Sequence, residues 1–144
     1  MAVSGANEPG QPPVVLGDRP AWTDTHPVPA RALAVGAHPD DIEFGCGGTL
    51  AKWAQQGCVV HYAVLTDGSK GTWNPQADTV ALVATRQAEQ REAARRIGAS
   101  GSVTFLGAVD GELENTHAMR DQLSQLIRIV QPDVILGHDP WKRY

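Results

Sequence analysis

"RALAVGAHPDDIEFGCGGTLAKWAQQGCVVHYAVLT", Arg31 to Thr66, reads as strand, turn, helix and strand in unbroken succession. "RALAVGA" (31–37) is a short apolar run bounded by turn signals, as a buried strand should be. "GGTLAKWAQQG" (47–57) sets Leu50, Ala51, Trp53 and Ala54 on one side of a helix that Gly57 can end. "CVVHYAVLT" (58–66) is β-branched and aromatic and predicts a second strand.

The same alternation continues downstream. "VALVATRQAEQREAARRIGA" (80–99) predicts a long helix closed by Gly98, and "SVTFLG" (102–107) a third strand. "HAMRDQLSQLIRIV" (117–130) predicts a third helix stopped near Pro132, and "DVILGH" (133–138) a fourth strand. Strand and helix in strict turn predict an α/β fold, a mainly parallel sheet with helices on both faces. Ligands of such sheets bind beyond the carboxyl ends of the strands, where the strand order reverses. "HPDD" (38–41) lies just beyond the first strand. "GHDPW" (137–141) lies just beyond the fourth, expected to be the first strand's neighbour across that switch point. "DGSKGTWNPQADT" (67–79) is expected to be a loop over the rim of the site, carrying Trp73.

Composition narrows the partners. The 144 residues suffice for about one domain, and 42% hydrophobic with 19% charged residues is a globular balance. A formal net charge of -4 argues against nucleic acid or an anionic membrane as the main partner and favours a small neutral or polar molecule. No apolar run approaches a membrane span, and the N-terminus lacks the pattern of a secretory signal, so the cytoplasm is the expected location. Residues 1–29 hold six of the ten prolines and no apolar period, and read as an extended or disordered leader before a domain spanning 30–144. Cys46 and Cys58 form no metal-type pair and read as small buried residues, with Cys46 close enough to the motif to touch it. Oligomeric state is left open, a homo-oligomer included.

The chemistry concentrates in His38-Pro39-Asp40-Asp41. Proline after His38 keeps that histidine out of helical geometry and is itself suited to a first helical position, so the turn is rigid. Residues three apart project to similar sides, which lets His38 and Asp41 converge on one ion while Asp40 points elsewhere. An imidazole and a carboxylate suit zinc, whose open position activates water, and a neighbouring aspartate can take the water's proton. The competing structural reading makes one aspartate a helix cap and packs the histidine on the sheet.

These residues carry a resemblance to a known family. "AHPDD" after an apolar strand, with "GGT" behind it, resembles the LmbE-like, or PIG-L, metal-dependent N-deacetylases. "LTDG", "RQAEQREAARRIGA", "VDGEL" and "QPDVILGHDP" follow in the family's order, so the resemblance runs from Arg31 to Tyr144. It implies a Rossmann-like three-layer fold and zinc-dependent removal of N-acetyl groups from amino-sugar conjugates. By position it implies His38 and Asp41 as metal ligands, Asp40 as general base, Arg86 as a substrate contact and Asp110 as a holder of sugar hydroxyls. Arg86 could instead pair with Glu89 or Glu92 on its own helix, and Asp110 could merely turn the chain with Gly111. Ile42 stands where the commoner motif has glutamate, which moves the acid to Glu43 and leaves Glu43 without an assigned role. The family's third ligand comes from a later H-P-D-H motif, whereas this sequence ends at "HDPWKRY". The expectation is therefore an N-terminal part of such a domain, incomplete for activity alone, with no general acid named and His138 or Asp139 as substitutes for the third ligand.

Two other classes compete. A receiver-like signalling module also has a parallel sheet and an acidic pair that binds magnesium, but needs a phosphoacceptor at the very end of the third strand, where Asp110 comes late. A nucleotide-binding Rossmann domain would use "GCGG" (45–48), which does not give G-x-G-x-x-G.

Overall fold

The computed structural model describes residues 27–139 and Trp141. Its elements follow in the order β1 (Arg31–Gly36), α1 (Asp41–Gln55), β2 (Val59–Thr66), α2 (Thr79–Arg96), β3 (Val103–Ala108), α3 (His117–Val130) and β4 (Val134–Leu136). The four strands form one parallel sheet in the order β3-β2-β1-β4. Crossing from β1 to β4 reverses the direction in which the sheet grows, so the switch point lies between them, as the sequence predicts.

Both faces of the sheet are covered. Ala32, Ala34, Val60, Tyr62 and Val64 point to one side, where Ile42 and Leu50 of α1 and Ala94 of α2 close over them. Leu33 and Ala63 point to the other side and meet Leu126 and Val130 of α3. Because β1 is buried on both faces, its sequence is an unbroken apolar run instead of an alternating one. Burial of Leu33, Leu50 and Tyr62 to 0% exposure anchors the three layers. At about 25 cal/mol per Å² of apolar surface, each such side chain contributes roughly 1.5–3 kcal/mol. Val28, within the segment expected to be a leader, packs against the first of these clusters. Residues 1–26 of that segment lie outside the described residues.

The helix ends have identifiable causes. Asp78 caps α2 by accepting from the amides of Val80 and Ala81 at 3.0 and 3.1 Å. Thr116 caps α3 through Met119 at 3.1 Å, and Gln131, left-handed at φ 48°, ends it before Pro132. α1 departs from the sequence expectation: it starts at Asp41, six residues before Gly47. Pro39 and Asp40 make the turn, Asp41 and Glu43 place negative charge on the first helical turn, and the glycines lie inside the helix instead of opening it. β4 is shorter than expected, because Gly137 and His138 leave its ladder to β1.

Candidate active site

The site grows from the close approach of β1 to α1. A Cβ on Gly36 would lie 3.0 Å from Ile42 Cγ1 and 3.1 Å from the Asp41 Cβ, so the strand ends tightly beneath the first helical turn because residue 36 has no side chain. The carbonyl of Ala37 then accepts from the amide and the hydroxyl of Thr66, both at 2.8 Å, tying the turn to the end of β2. Pro39 is buried against Gly68, whose missing side chain would stand 3.1 Å from Pro39 Cδ.

Within this frame His38 and Asp41 face each other. The amide of His38 donates to Asp41 Oδ2 at 2.8 Å, and His38 Nδ1 lies 3.5 Å from the same oxygen. Two ligands of a tetrahedral ion at bond lengths of about 2.0–2.2 Å stand roughly 3.4 Å apart, so this spacing fits a shared metal. The other ring nitrogen, Nε2, lies 2.9 Å from Asp110 Oδ1 at the end of β3. His138, beyond β4, brings its Nε2 to 3.2 Å from Asp41 Oδ2 and 3.3 Å from the amide of Ala37. Among the described residues no group of three or more His, Cys, Asp or Glu side chains is arranged to hold a metal, so His38 and Asp41 stand as a pair of donors.

Asp40 takes a separate direction. Its carboxylate receives Arg86 Nη2 at 2.6 Å, and the same nitrogen donates to the carbonyl of Pro39 at 2.7 Å. Arg86 also pairs through Nη1 with Glu89 on its own helix. Asp40 is the residue preceding α1, yet its side chain makes no capping bond to the helix, and Asp41 accepts from His38 instead of from a helical amide. Neither aspartate therefore acts as the helix cap that the structural reading requires. A pocket of about 160 Å³ is lined by Asp41, Cys46, Gly137 and His138, and another of about 120 Å³ by Asp40, Arg86 and Gln90.

Two further residues that the sequence alone does not single out, Gln90 and Asp67, hold the motif. Gln90, 2% exposed, accepts from the amide of Asp40 at 2.8 Å and donates to Glu43 Oε1 at 2.8 Å. Glu43 thereby acquires a position, with its second oxygen buried near the buried hydroxyl of Tyr62. Burial, followed by the nearby Glu43 charge, pushes the Tyr62 phenol well above its ordinary range. Asp67 at the end of β2 accepts from the amides of Ser69 and Asp110 at 2.9 and 3.1 Å, fixing the loop that presents Asp110 to His38. Burial raises the Asp67 pKa, but those hydrogen bonds outweigh it and hold the carboxyl below its usual value. Cys46 is half-buried, its thiol pushed up by burial and by Glu43, which is the behaviour of a packing residue. Trp73 is fully exposed in the loop after β2.

The class defined by this fold and site is an open parallel α/β domain whose polar cluster gathers at the carboxyl ends of β1, β2, β3 and β4. The chain belongs to the PIG-L family, described as GlcNAc-PI de-N-acetylase, whose model matches residues 33–143. It is 34% identical over 114 residues to the diacetylchitobiose deacetylase of Thermococcus kodakarensis, a match covering 79% of this chain and 42% of that protein. The N,N'-diacetylchitobiose deacetylase of Pyrococcus horikoshii, solved with an inhibitor, superposes with a TM-score of 0.77 at 34% identity, covering 81% of this chain and 43% of that one. The 4-oxalmesaconate hydratase of Pseudomonas putida is 32% identical over 117 residues, covering 76% of this chain and 45% of the relative. The chain thus spans less than half the length of these relatives.

Proposed function

We propose that this chain is part of a zinc-dependent hydrolase that removes an N-acetyl or other N-acyl group from an amino-sugar conjugate. The observation that carries the reading is the 3.5 Å approach of His38 Nδ1 to Asp41 Oδ2 beside an aspartate that caps no helix. Membership of a de-N-acetylase family and 34% identity to a diacetylchitobiose deacetylase support it.

His38 and Asp41 would hold the zinc, with a further ligand from beyond this pair. When bound, the ion would supply Lewis acidity, lowering the pKa of water toward about 7 and polarising the amide carbonyl. Asp110 orients the His38 ring through Nε2, leaving Nδ1 for the ion. As water attacks the amide carbon, Asp40 takes one of its protons; the carbon–nitrogen bond then breaks as that proton and the water's second one pass to the nitrogen, which releases acetate and a protonated amine and leaves Asp40 ionised again. In this reading Arg86 and Asp110 border the sugar while also bracing Asp40 and His38. A cytoplasmic location and a small-molecule partner accompany it, and no described helix is long and apolar enough to cross a membrane.

The test uses the full-length protein that contains this chain. Zinc-loaded protein is incubated with N,N'-diacetylchitobiose and related N-acetylglucosamine conjugates, and free amine is measured. Amine release that stops on chelation and returns with zinc is the expected result. No release from any of these conjugates by zinc-loaded protein, or hydration of an unsaturated dicarboxylate in its place, would overturn the reading.

A further inference from the structure

The peptide bond between Pro39 and Asp40 is gripped at both ends by one helix. Its carbonyl accepts from Arg86 Nη2 at 2.7 Å, and its amide donates to Gln90 Oε1 at 2.8 Å. Arg86 and Gln90 stand four residues apart on α2, so they project from the same face of that helix. The gripped peptide is the one that sets the backbone of Asp40, which sits at φ 105°, ψ -26°. A non-glycine residue with positive φ is strained, and it persists only where its surroundings over-determine it.

We infer that Gln90, with Arg86, is a positioning residue: it locks the plane of the Pro39–Asp40 peptide and so holds Asp40 in a left-handed conformation that turns its carboxylate off the start of α1 and onto Arg86. This inference rests on the role of Asp40 proposed above. A peptide group is planar, so its carbonyl and amide turn together about the two flanking bonds, and a flip would carry φ of residue 40 back toward negative values. Such a flip breaks two hydrogen bonds at once: the one to Arg86 and the one to Gln90. Gln90 is itself fixed, because its amino group donates to Glu43 Oε1, which orients its carbonyl oxygen toward Asp40. A glutamine 2% exposed between two helices, with both ends of its amide engaged, is a costly group to bury for packing alone.

The experiment uses the full-length protein that contains this chain and compares wild type, Gln90→Met and the double variant Glu43→Gln/Gln90→Glu. Methionine keeps the length of the side chain and removes both hydrogen bonds. In the double variant the carboxylate at 90 still accepts from the Asp40 amide, the bond to residue 43 is restored with donor and acceptor exchanged, and the net charge is unchanged. Crystal structures read φ at residue 40, and steady-state kinetics with zinc content read the consequence. Expected for Gln90→Met is a flipped or mixed 39–40 peptide and a kcat lower by about 10- to 100-fold, with KM and bound zinc unchanged, since misplacing a reacting group by ~1 Å can cost on the order of 100-fold. The double variant should recover most of kcat and the positive φ. A Gln90→Met structure that keeps φ near its present value overturns the inference, as does an unchanged kcat per folded molecule or a loss that the double variant fails to repair. An inactive wild type would count against the proposed function alone, because the crystallographic comparison still reads the peptide clamp.

Discussion

His38 and Asp110, 72 residues apart in sequence, meet with Nε2 and Oδ1 at 2.9 Å. The contact joins the end of β1 to the end of β3 across the whole width of β2, and it settles which ring nitrogen of His38 turns toward Asp41. The Asp110 side chain is 14% exposed and that of His38 46%, so the carboxylate is the shielded member of the pair.

If His38 holds zinc as proposed, removing that carboxylate should weaken the hold on the ion. Partners that orient a ligating histidine typically contribute about 10- to 100-fold in metal affinity. Asp110→Asn is expected to weaken zinc binding by about that factor, measured by competition with a chromogenic chelator. A variant with unchanged zinc affinity and a raised KM for the sugar would instead give Asp110 the hydroxyl-holding role that the family resemblance implies.

Asp40→Asn separates chemistry from binding. Asparagine tolerates positive φ about as well as aspartate does and keeps a side-chain oxygen for Arg86, so the turn should survive. Loss of a general base costs about 10²- to 10⁴-fold in turnover, and that fall is expected with zinc content unchanged. Metal analysis on the same sample used for kinetics checks it.

Two glycine-to-alanine changes should move stability in opposite directions. Gly48 lies in the exposed part of α1 with nothing within 4 Å of an added Cβ, so Gly48→Ala should stabilise by about 0.5–1 kcal/mol through helix propensity. Gly68 has φ +69° and would place a Cβ 3.1 Å from Pro39 Cδ. Gly68→Ala should destabilise by roughly 1–2 kcal/mol, the cost of a left-handed alanine, with extra strain from the proline. Thermal melts of the two variants beside wild type give both signs in one experiment.

What the sequence reveals and what it hides divide along physical lines. α3 is legible to the residue, His117 to Val130, because its stop signal, Pro132, is local. α1 is misjudged at its start, since Gly45, Gly47 and Gly48 look like breakers while the real constraint is the Pro39–Asp40 turn upstream. The direction of each motif side chain follows the same rule. His38, Asp40 and Asp41 fall within four consecutive residues, so the facing of His38 and Asp41 is legible in their spacing, whereas the direction of the Asp40 carboxylate depends on Arg86 and Gln90 of α2. Gln90 is invisible in "RQAEQREAARR", where it is one polar residue among many, because its burial exists only once α2 has packed against the Pro39 turn. Asp67 and the contact of Asp110 with His38 are hidden likewise, being bonds between loops that the sheet brings together.

Asp67 also predicts a specific pH dependence. Its carboxyl is held below the ordinary value of about 3.9 because, although burial opposes ionisation, the amides of Ser69 and Asp110 donate to the charged form. A group with a depressed folded-state pKa binds fewer protons folded than unfolded, so its stabilising contribution is fully present above the unfolded value. That contribution is lost as pH falls through the lower folded value. Urea midpoints measured between pH 6 and about pH 3 should decline for wild type as the pH drops below ~4, the unfolded-state value. Asp67→Asn should be less stable than wild type at pH 6 and should show a shallower decline on the acid side, since its amide cannot be protonated there. Parallel midpoint curves for the two proteins would mean that the acid sensitivity arises at other carboxylates, and that the Asp67 hydrogen bonds position Asp110 without storing pH-dependent stability.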